Sequence, residues 1–353
     1  MKVIIVKFMS LGDMVMSTVG LQMIRNAFPD SEITLLTLDS SEPILRHDPA
    51  VNKFIIEPTN VFWPRKKLDR ILPAILKWRS QRYDLAVSFH AGRGPNMLVS
   101  ALNAKDHILP GHGSLTAIVS SNKDSFSPGM NHYTEVYPAI ARKAIEQEGG
   151  DATGEIPRPR VVFLPEEIRS MDELLDKHKL ARNNYVAIFP GGGYNPGNQI
   201  TAKRYPQMGA ALKMFIRLAT DAHIVLLGAN SDQGTVSQIK ESLGQGRVVD
   251  LTGKTTVRQF AAVIQASRML LTNDSSALHI AQAVSTPTVA VFGPTNPLEF
   301  VDPRAPVAVF SPTNAVPIFS GKYHGEDLAA SRTFDEIDPV LVAEAMKNIW
   351  CQH

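Results

Sequence analysis

Thr272-Asn273-Asp274-Ser275-Ser276-Ala277-Leu278-His279 joins an apolar run, Met269–Thr272, to a stretch with helical spacing that opens near Ala277. The run predicts a buried strand ending at Asn273, and the polar residues after it predict a helix start near Ser275. Ser275 and His279 are four apart and share one helical face. Unpaired amides and the dipole at such a start favour an anion. A pyrophosphate fits them, with His279 as a further donor and Asp274 within reach of a ribose or sugar hydroxyl. The plainer reading makes Asp274 or Ser275 an N-cap and His279 a core histidine, and this stretch alone leaves both open.

Moving outward, Thr288–Phe292 is a further strand that runs into Gly293-Pro294-Thr295-Asn296-Pro297. Upstream, Tyr185–Phe189 and Ile224–Leu227 read as strands, with helices expected near 205–219, 231–243, 257–266 and 277–283. The first half carries the same alternation, with strands near Val3–Phe8, Glu32–Thr37, Lys53–Ile56, Leu85–Phe89 and His107–Leu109. Helices are expected there near 14–27, 68–82 and 133–147. Short apolar runs alternating with longer amphipathic stretches are the pattern of βα units around a parallel sheet. Gly149, Gly150 and Ile156-Pro157-Arg158-Pro159-Arg160 interrupt the pattern and read as a linker. The expected fold is therefore α/β, with two Rossmann-like doubly wound domains facing across a cleft. Their expected bounds are 1–155 and 156–335, and a final helix in 336–353 is expected to pack back on the first domain.

The 353 residues suit about two domains. With 36 Lys and Arg against 34 Asp and Glu, the net charge of +2 argues against a nucleic-acid coat. The single cysteine, Cys351, excludes an internal disulfide framework and any cysteine-built metal site. The lysine in Met1-Lys2-Val3-Ile4-Ile5-Val6-Lys7 breaks the apolar run early, so a strand is expected there rather than a signal peptide. No stretch reaches the ~18 apolar residues that a membrane span requires. The expectation is a cytoplasmic protein, peripheral to a membrane at most.

Several chemistries lack their motif. Gly253-Lys254-Thr255 resembles the end of a P-loop, but Val248 stands where that motif needs glycine. No third glycine completes a dinucleotide fingerprint, and no Gly-x-Ser-x-Gly elbow occurs. The absence of Asp-x-Asp removes the usual hint of a metal-bridged pyrophosphate, so no metal and no cofactor are expected.

Two more loops follow strands. Ser10-Leu11-Gly12-Asp13 opens a helix after the first strand. A carboxylate there stays ionised and can accept a proton from a substrate hydroxyl, or it can simply cap its helix. Phe189-Pro190-Gly191-Gly192-Gly193-Tyr194 is a strand entering a glycine-rich loop, and Lys203-Arg204-Tyr205-Pro206 is expected at the next helix start. Glycine amides and a mobile lysine suit phosphate, while a flexible turn beside solvated cations is the alternative.

Together, Ser-Leu-Gly-Asp after Lys-Val-Ile-Ile-Val-Lys, Lys-Arg-Tyr-Pro, Asp-Ser-Ser-Ala-Leu-His and Phe-Gly-Pro-Thr-Asn-Pro resemble glycosyltransferase family 9, the ADP-heptose:lipopolysaccharide heptosyltransferases. The likeness runs from Met1 to about Pro297. It implies a GT-B fold whose C-terminal domain holds the donor nucleotide. It also implies inverting, metal-free transfer of heptose from ADP-L-glycero-D-manno-heptose to the lipopolysaccharide inner core. By position in the motifs, Asp13 would be the catalytic base and Lys203 would steady the donor phosphates and the leaving group. Asp274, Ser275, Ser276 and His279 would bind the donor, with Gly191, Gly192 and Gly193 beside them. Asn230 stands where the best-known members place a glutamate near the nucleoside, and Asp232 is close by.

The anionic acceptor would meet cations of the first domain, for which Arg65, Lys66, Lys67 and Arg93 are the candidates. Phe62 and Trp63 could rest on the inner membrane surface, where that acceptor is anchored. Alternatives are a different nucleotide-sugar donor or acceptor, a sugar-nucleotide epimerase of the same architecture, and a non-catalytic nucleotide-sugar-binding protein.

Overall fold

The computed structural model describes residues 1–59, 68–90, 93–110, 133–195, 198–199, 201–244, 248–312 and 334–352. They form two compact units, Met1–Val162 and Phe163–His353.

The first unit contains β1 (Lys2–Val6), α1 (Leu11–Ala27), β2 (Glu32–Leu38), β3 (Lys53–Glu57), α2 (Leu68–Arg79), β4 (Tyr83–Ser88), α3 (Arg93–Ser100), β5 (Ala104–Ile108) and α4 (Tyr133–Gln147). Its five strands are parallel in the order β3-β2-β1-β4-β5. Val3 to Val6 are shielded on both faces, which is why β1 is an unbroken run of branched aliphatics rather than an alternating one. Helices α1 and α4 pack closely. Gly20 permits it, because a Cβ there would lie 2.9 Å from the Phe89 ring and 3.0 Å from the Tyr137 carbonyl.

The second unit runs α5 (Pro165–Lys177), β6 (Tyr185–Phe189), β7 (Tyr194–Asn195), β8 (Asn198–Gln199), α6 (Met208–Leu218), β9 (His223–Leu226), α7 (Gln233–Leu243), β10 (Val248–Asp250) and α8 (Val257–Ala266). It continues with β11 (Met269–Asn273), α9 (Ser276–Ala283), β12 (Thr288–Val291), α10 (Pro297–Phe300), β13 (Val307–Phe310) and α11 (Pro339–Gln352). Six parallel strands follow the order β10-β9-β6-β11-β12-β13, and β7 with β8 makes a short antiparallel ribbon. Counted within each unit, both sheets begin 3-2-1-4-5, the doubly wound Rossmann order.

Two expectations need correction. The final helix α11, expected on the first domain, packs on α6 within its own unit. Val342, Ala343 and Met346 are fully buried there together with Phe334 and Ile337. Trp350 meets the edge of Phe215 at 6.2 Å, lies 4.4 Å from the Arg268 guanidinium, and donates its indole N–H to Asp221 at 3.2 Å. An apolar stripe left by the second sheet, not by the first, takes this helix. The division between the units also falls after Val162 rather than after residue 155. The Arg158–Arg160 stretch is tied into the first unit: the Arg160 guanidinium forks onto Asp48 at 2.7 and 3.0 Å, and its N–H donates to Thr18 at 3.0 Å. Gln22 donates to the Arg158 carbonyl at 2.9 Å. Prolines at 157 and 159 read as a linker, but side-chain hydrogen bonds decide its attachment.

Candidate functional site

In doubly wound sheets the ligand crevice opens beyond the strand ends where the order reverses. That places one site between β1 and β4, and a second between β6 and β11.

At the first, Lys7 follows β1 and keeps its N–H in the sheet through the Leu36 carbonyl at 3.0 Å. Its side chain is 5% exposed, while that of Asp13, one turn into α1, is 40% exposed. The ammonium lies 3.7 Å from Asp13 Oδ2 and 5.6 Å from the centre of the Tyr137 ring. Asp13 Oδ2 also accepts from the Ser10 N–H at 3.1 Å and from the Ser10 hydroxyl at 3.3 Å. The carboxylate therefore caps its helix and meets solvent as well.

His90, just beyond β4, closes this site. Its Nε2 accepts the Phe8 N–H at 2.8 Å, and its ring stacks on Phe8 at 5.5 Å. Burial, and next the Lys7 charge, push the imidazole down to about 3 against the opposing pull of Asp13. It is neutral at pH 7, with the proton on Nδ1 by assignment from the Phe8 bond. Burial, with Asp13 adding to it, holds the Tyr137 phenol well above its ordinary value. Burial pulls the Lys7 ammonium below its ordinary value, opposed by Asp13.

The second site is organised by Asn273, which is fully buried at the end of β11. Its amide donates to the carbonyls of Pro190 at 2.8 Å and Gly191 at 3.2 Å, and its oxygen accepts the Tyr205 N–H at 3.1 Å. One side chain thus binds the glycine loop after β6 to the Lys203–Tyr205 segment. Lys203 closes a 3-10 turn, Thr201–Lys203, well before α6 begins at Met208, so it is not at that helix start as its sequence suggested. Its ammonium donates to Asp274 Oδ2 at 2.5 Å and lies 5.7 Å from the Phe300 ring centre.

Asp274 is 3% exposed and Lys203 14%. Burial pushes the Asp274 carboxyl up, but Lys203 and His279 outweigh it and hold the group below the usual carboxylate range. His279 is buried, with its ring 6.0 Å from that of Phe300. Ser275 is the N-cap of α9, its hydroxyl accepting the Ala277 N–H at 3.3 Å and lying 3.0 Å from the Thr272 hydroxyl. Ser276 is the first residue of the helix.

Next to the glycine loop, Arg204 donates to Asp232 at 3.1 Å, and Asp232 accepts the Ala229 N–H at 3.0 Å. Asn230 is exposed and lies over Gly253, which has φ +69°; a Cβ there would come within 1.8 Å of the Asn230 amide oxygen. The structure thus gathers Gly191, Lys203, Asp274, Ser275 and His279 around one strand end. Arg65, Lys66 and Lys67 lie outside the described residues, and Arg93 is placed only as the backbone that opens α3.

Lys7, His90, Tyr137 and Asn273 were not singled out from the sequence. The partners of His90, Tyr137 and Asn273 are far along the chain, 82 residues in the case of Phe8 and His90, whereas Lys7 meets Asp13 only one strand-to-helix turn away. The one available signal was a lysine ending an otherwise apolar strand.

A half-exposed carboxylate at one crevice and a lysine on a buried carboxylate at a helix start in the other suit proton abstraction and anion binding. The model of glycosyltransferase family 9 (heptosyltransferase) matches residues 141–316. The lipooligosaccharide heptosyltransferase 2 of Haemophilus ducreyi is 27% identical over 312 residues, covering 84% of either chain. Among solved structures, a family 9 glycosyltransferase from Veillonella parvula superposes with TM-score 0.80 at 19% identity, covering 100% of this chain and 98% of that one. The E. coli ADP-heptose LPS heptosyltransferase II gives 0.76 at 21%, covering 100% and 99%. With its paired Rossmann units in the GT-B manner and motifs at both strand-order reversals, the chain belongs to glycosyltransferase family 9 and is a glycosyltransferase.

Proposed function

We propose that this glycosyltransferase moves a heptose from ADP-L-glycero-D-manno-heptose to the inner core of lipopolysaccharide, in one inverting displacement that needs no metal ion. The observation that carries this reading is the Lys203–Asp274 pair at the start of α9. An ammonium fixed beside a helix N-terminus offsets the charge that grows on a departing pyrophosphate, the task a divalent cation performs elsewhere. The names of the relatives, heptosyltransferases acting on lipopolysaccharide or lipooligosaccharide, support the sugar and the acceptor.

In the proposed step the acceptor hydroxyl oxygen bonds to the anomeric carbon as the bond from that carbon to the β-phosphate oxygen breaks. Asp13 takes the hydroxyl proton, and ADP leaves with the electron pair. In this reading the glycine loop and Ser276 would hold the diphosphate, and Asn230 and Arg204 would lie towards the nucleoside. No helix among the described residues is long and apolar enough to cross a membrane.

The test follows ADP release from a panel of nucleotide sugars with and without lipid A–core acceptors. Acceptor-dependent release confined to ADP-heptose is expected, unchanged by EDTA. Release from another donor, a sugar altered without acceptor, or activity lost in EDTA and restored by magnesium would each overturn its part of the proposal.

A further inference from the structure

We propose that Lys7 is the positioning residue of the proton acceptor: its buried ammonium holds the Asp13 carboxylate in place and drives it back to the ionised state after each transfer. This deepens the reading of Asp13 as the base and rests on it.

The geometry is lopsided. Lys7 is 5% exposed and its ammonium lies 3.7 Å from Asp13 Oδ2, whereas the Asp13 side chain is 40% exposed. An ammonium this deep needs a counter-charge, while a carboxylate this open does not. Capping by Ser10 alone would hold Asp13 at the helix start without any buried cation beside it. Among the described residues, groups that face Asp13 include four from separate segments. Ser10 precedes its own helix, Lys7 follows β1, His90 follows β4, and Tyr137 stands on α4. His90 is held neutral by accepting the Phe8 N–H, and Tyr137 is a phenol, so Lys7 alone of these carries charge at pH 7.

The consequence for a cycle is specific. When Asp13 accepts the acceptor proton it stops compensating Lys7, and a buried ammonium faces a neutral carboxyl. That state is unfavourable by Coulomb's law at this separation, so the proton passes to water from the carboxyl's exposed edge and the base resets. The Tyr137 ring face at 5.6 Å holds the ammonium throughout.

The direct probe is the Asp13 side-chain carboxyl, followed by 13C NMR against pH in the intact chain. In the unmodified protein its resonance should move twice, once as the carboxyl itself titrates and again as Lys7 loses its proton in alkali. Lys7→Met removes the charge and keeps the bulk. It should raise the carboxyl midpoint and the acid limb of kcat by about one pH unit or more. It should also lower kcat by about tenfold to hundredfold with donor KM unchanged. Lys7→Arg should keep the acid limb near its original position even if kcat stays low. An unmoved acid limb and carboxyl midpoint in Lys7→Met, or a single-step titration in the unmodified chain, would overturn the role of Lys7. Full turnover in Asp13→Asn would instead overturn the base itself, so the two failures are distinguishable.

Discussion

Each unit pairs a lysine with an aspartate beyond the strand ends of its sheet, but from different elements and with the order of burial reversed. Lys7 and Asp13 both follow β1, while Lys203 follows β6 and Asp274 follows β11. Between β1 and β4 the lysine is buried and the aspartate open; between β6 and β11 the aspartate is buried at 3% and the lysine more open at 14%. Whichever member faces outward is the one available to a substrate. A carboxylate presented by a buried cation can take a proton, and an ammonium presented by a buried carboxylate can hold a phosphate. One scaffold thus yields two sites of opposite electrostatic sense by reversing which charge lies beneath.

The sharpest way to break this comparison is to remove the outward charge at each site. Asp13→Asn should lower kcat by about a hundredfold to ten-thousandfold, the range for a lost general base. Lys203→Met should cost about a hundredfold to a thousandfold in kcat/KM, comparable to losing one donor to a developing oxyanion. It should also weaken ADP binding in a calorimetric titration. Donor affinity left intact in Lys203→Met would remove the distinction between the sites.

Stability supplies a separate test. Deleting the outward member leaves the more buried one uncompensated, whereas deleting the buried member leaves a charge that water reaches better, well so at Asp13 with 40% exposure and less at Lys203 with 14%. Asp13→Asn should therefore destabilise more than Lys7→Met, and Lys203→Met more than Asp274→Asn, by about 1–3 kcal/mol in denaturant titrations. The reverse order in either pair would show that burial does not set the roles.

A smaller effect belongs to the first site alone. His90 is pushed down to about 3 in the folded chain, against about 6.5 when unfolded, so the unfolded chain binds the extra proton between these values. Stability should fall as pH drops from 6.5 towards 3, by about 1–2 kcal/mol between pH 7 and pH 5. His90→Gln can still accept the Phe8 N–H but does not titrate, so it should flatten that slope relative to the unmodified chain.

How much of this was legible in the sequence varies with how local the cause is. Val3–Val6 and Met269–Asn273 are buried on both sheet faces, so their continuous apolar runs announce central strands. Strand β10 has only three residues and borrows its definition from β9, and β13 begins behind Pro306; neither was expected. Helix α5 was also passed over, although Pro165 with Glu166 and Glu167 is a proper helix start, because the prolines before it suggested a linker. At the sites, Asp13, Lys203 and Asp274 stand in compact motifs that can be read directly. His90 and Asn273 act through contacts across the sheet, which no local spacing encodes, and the Lys7–Asp13 pair, though local, depends on the burial of Lys7 that only the packed sheet supplies. The apolar stripe of the final helix likewise says that it packs, not against which sheet.

The central claim, that the two sites divide base from donor binding, is tested most directly by measuring ADP affinity and acceptor-dependent turnover on the same sample of Asp13→Asn. The account predicts affinity within about twofold of the unmodified chain and turnover lowered by about a hundredfold or more. Turnover near that of the unmodified chain in a folded Asp13→Asn sample, or a parallel loss of ADP affinity, would contradict it.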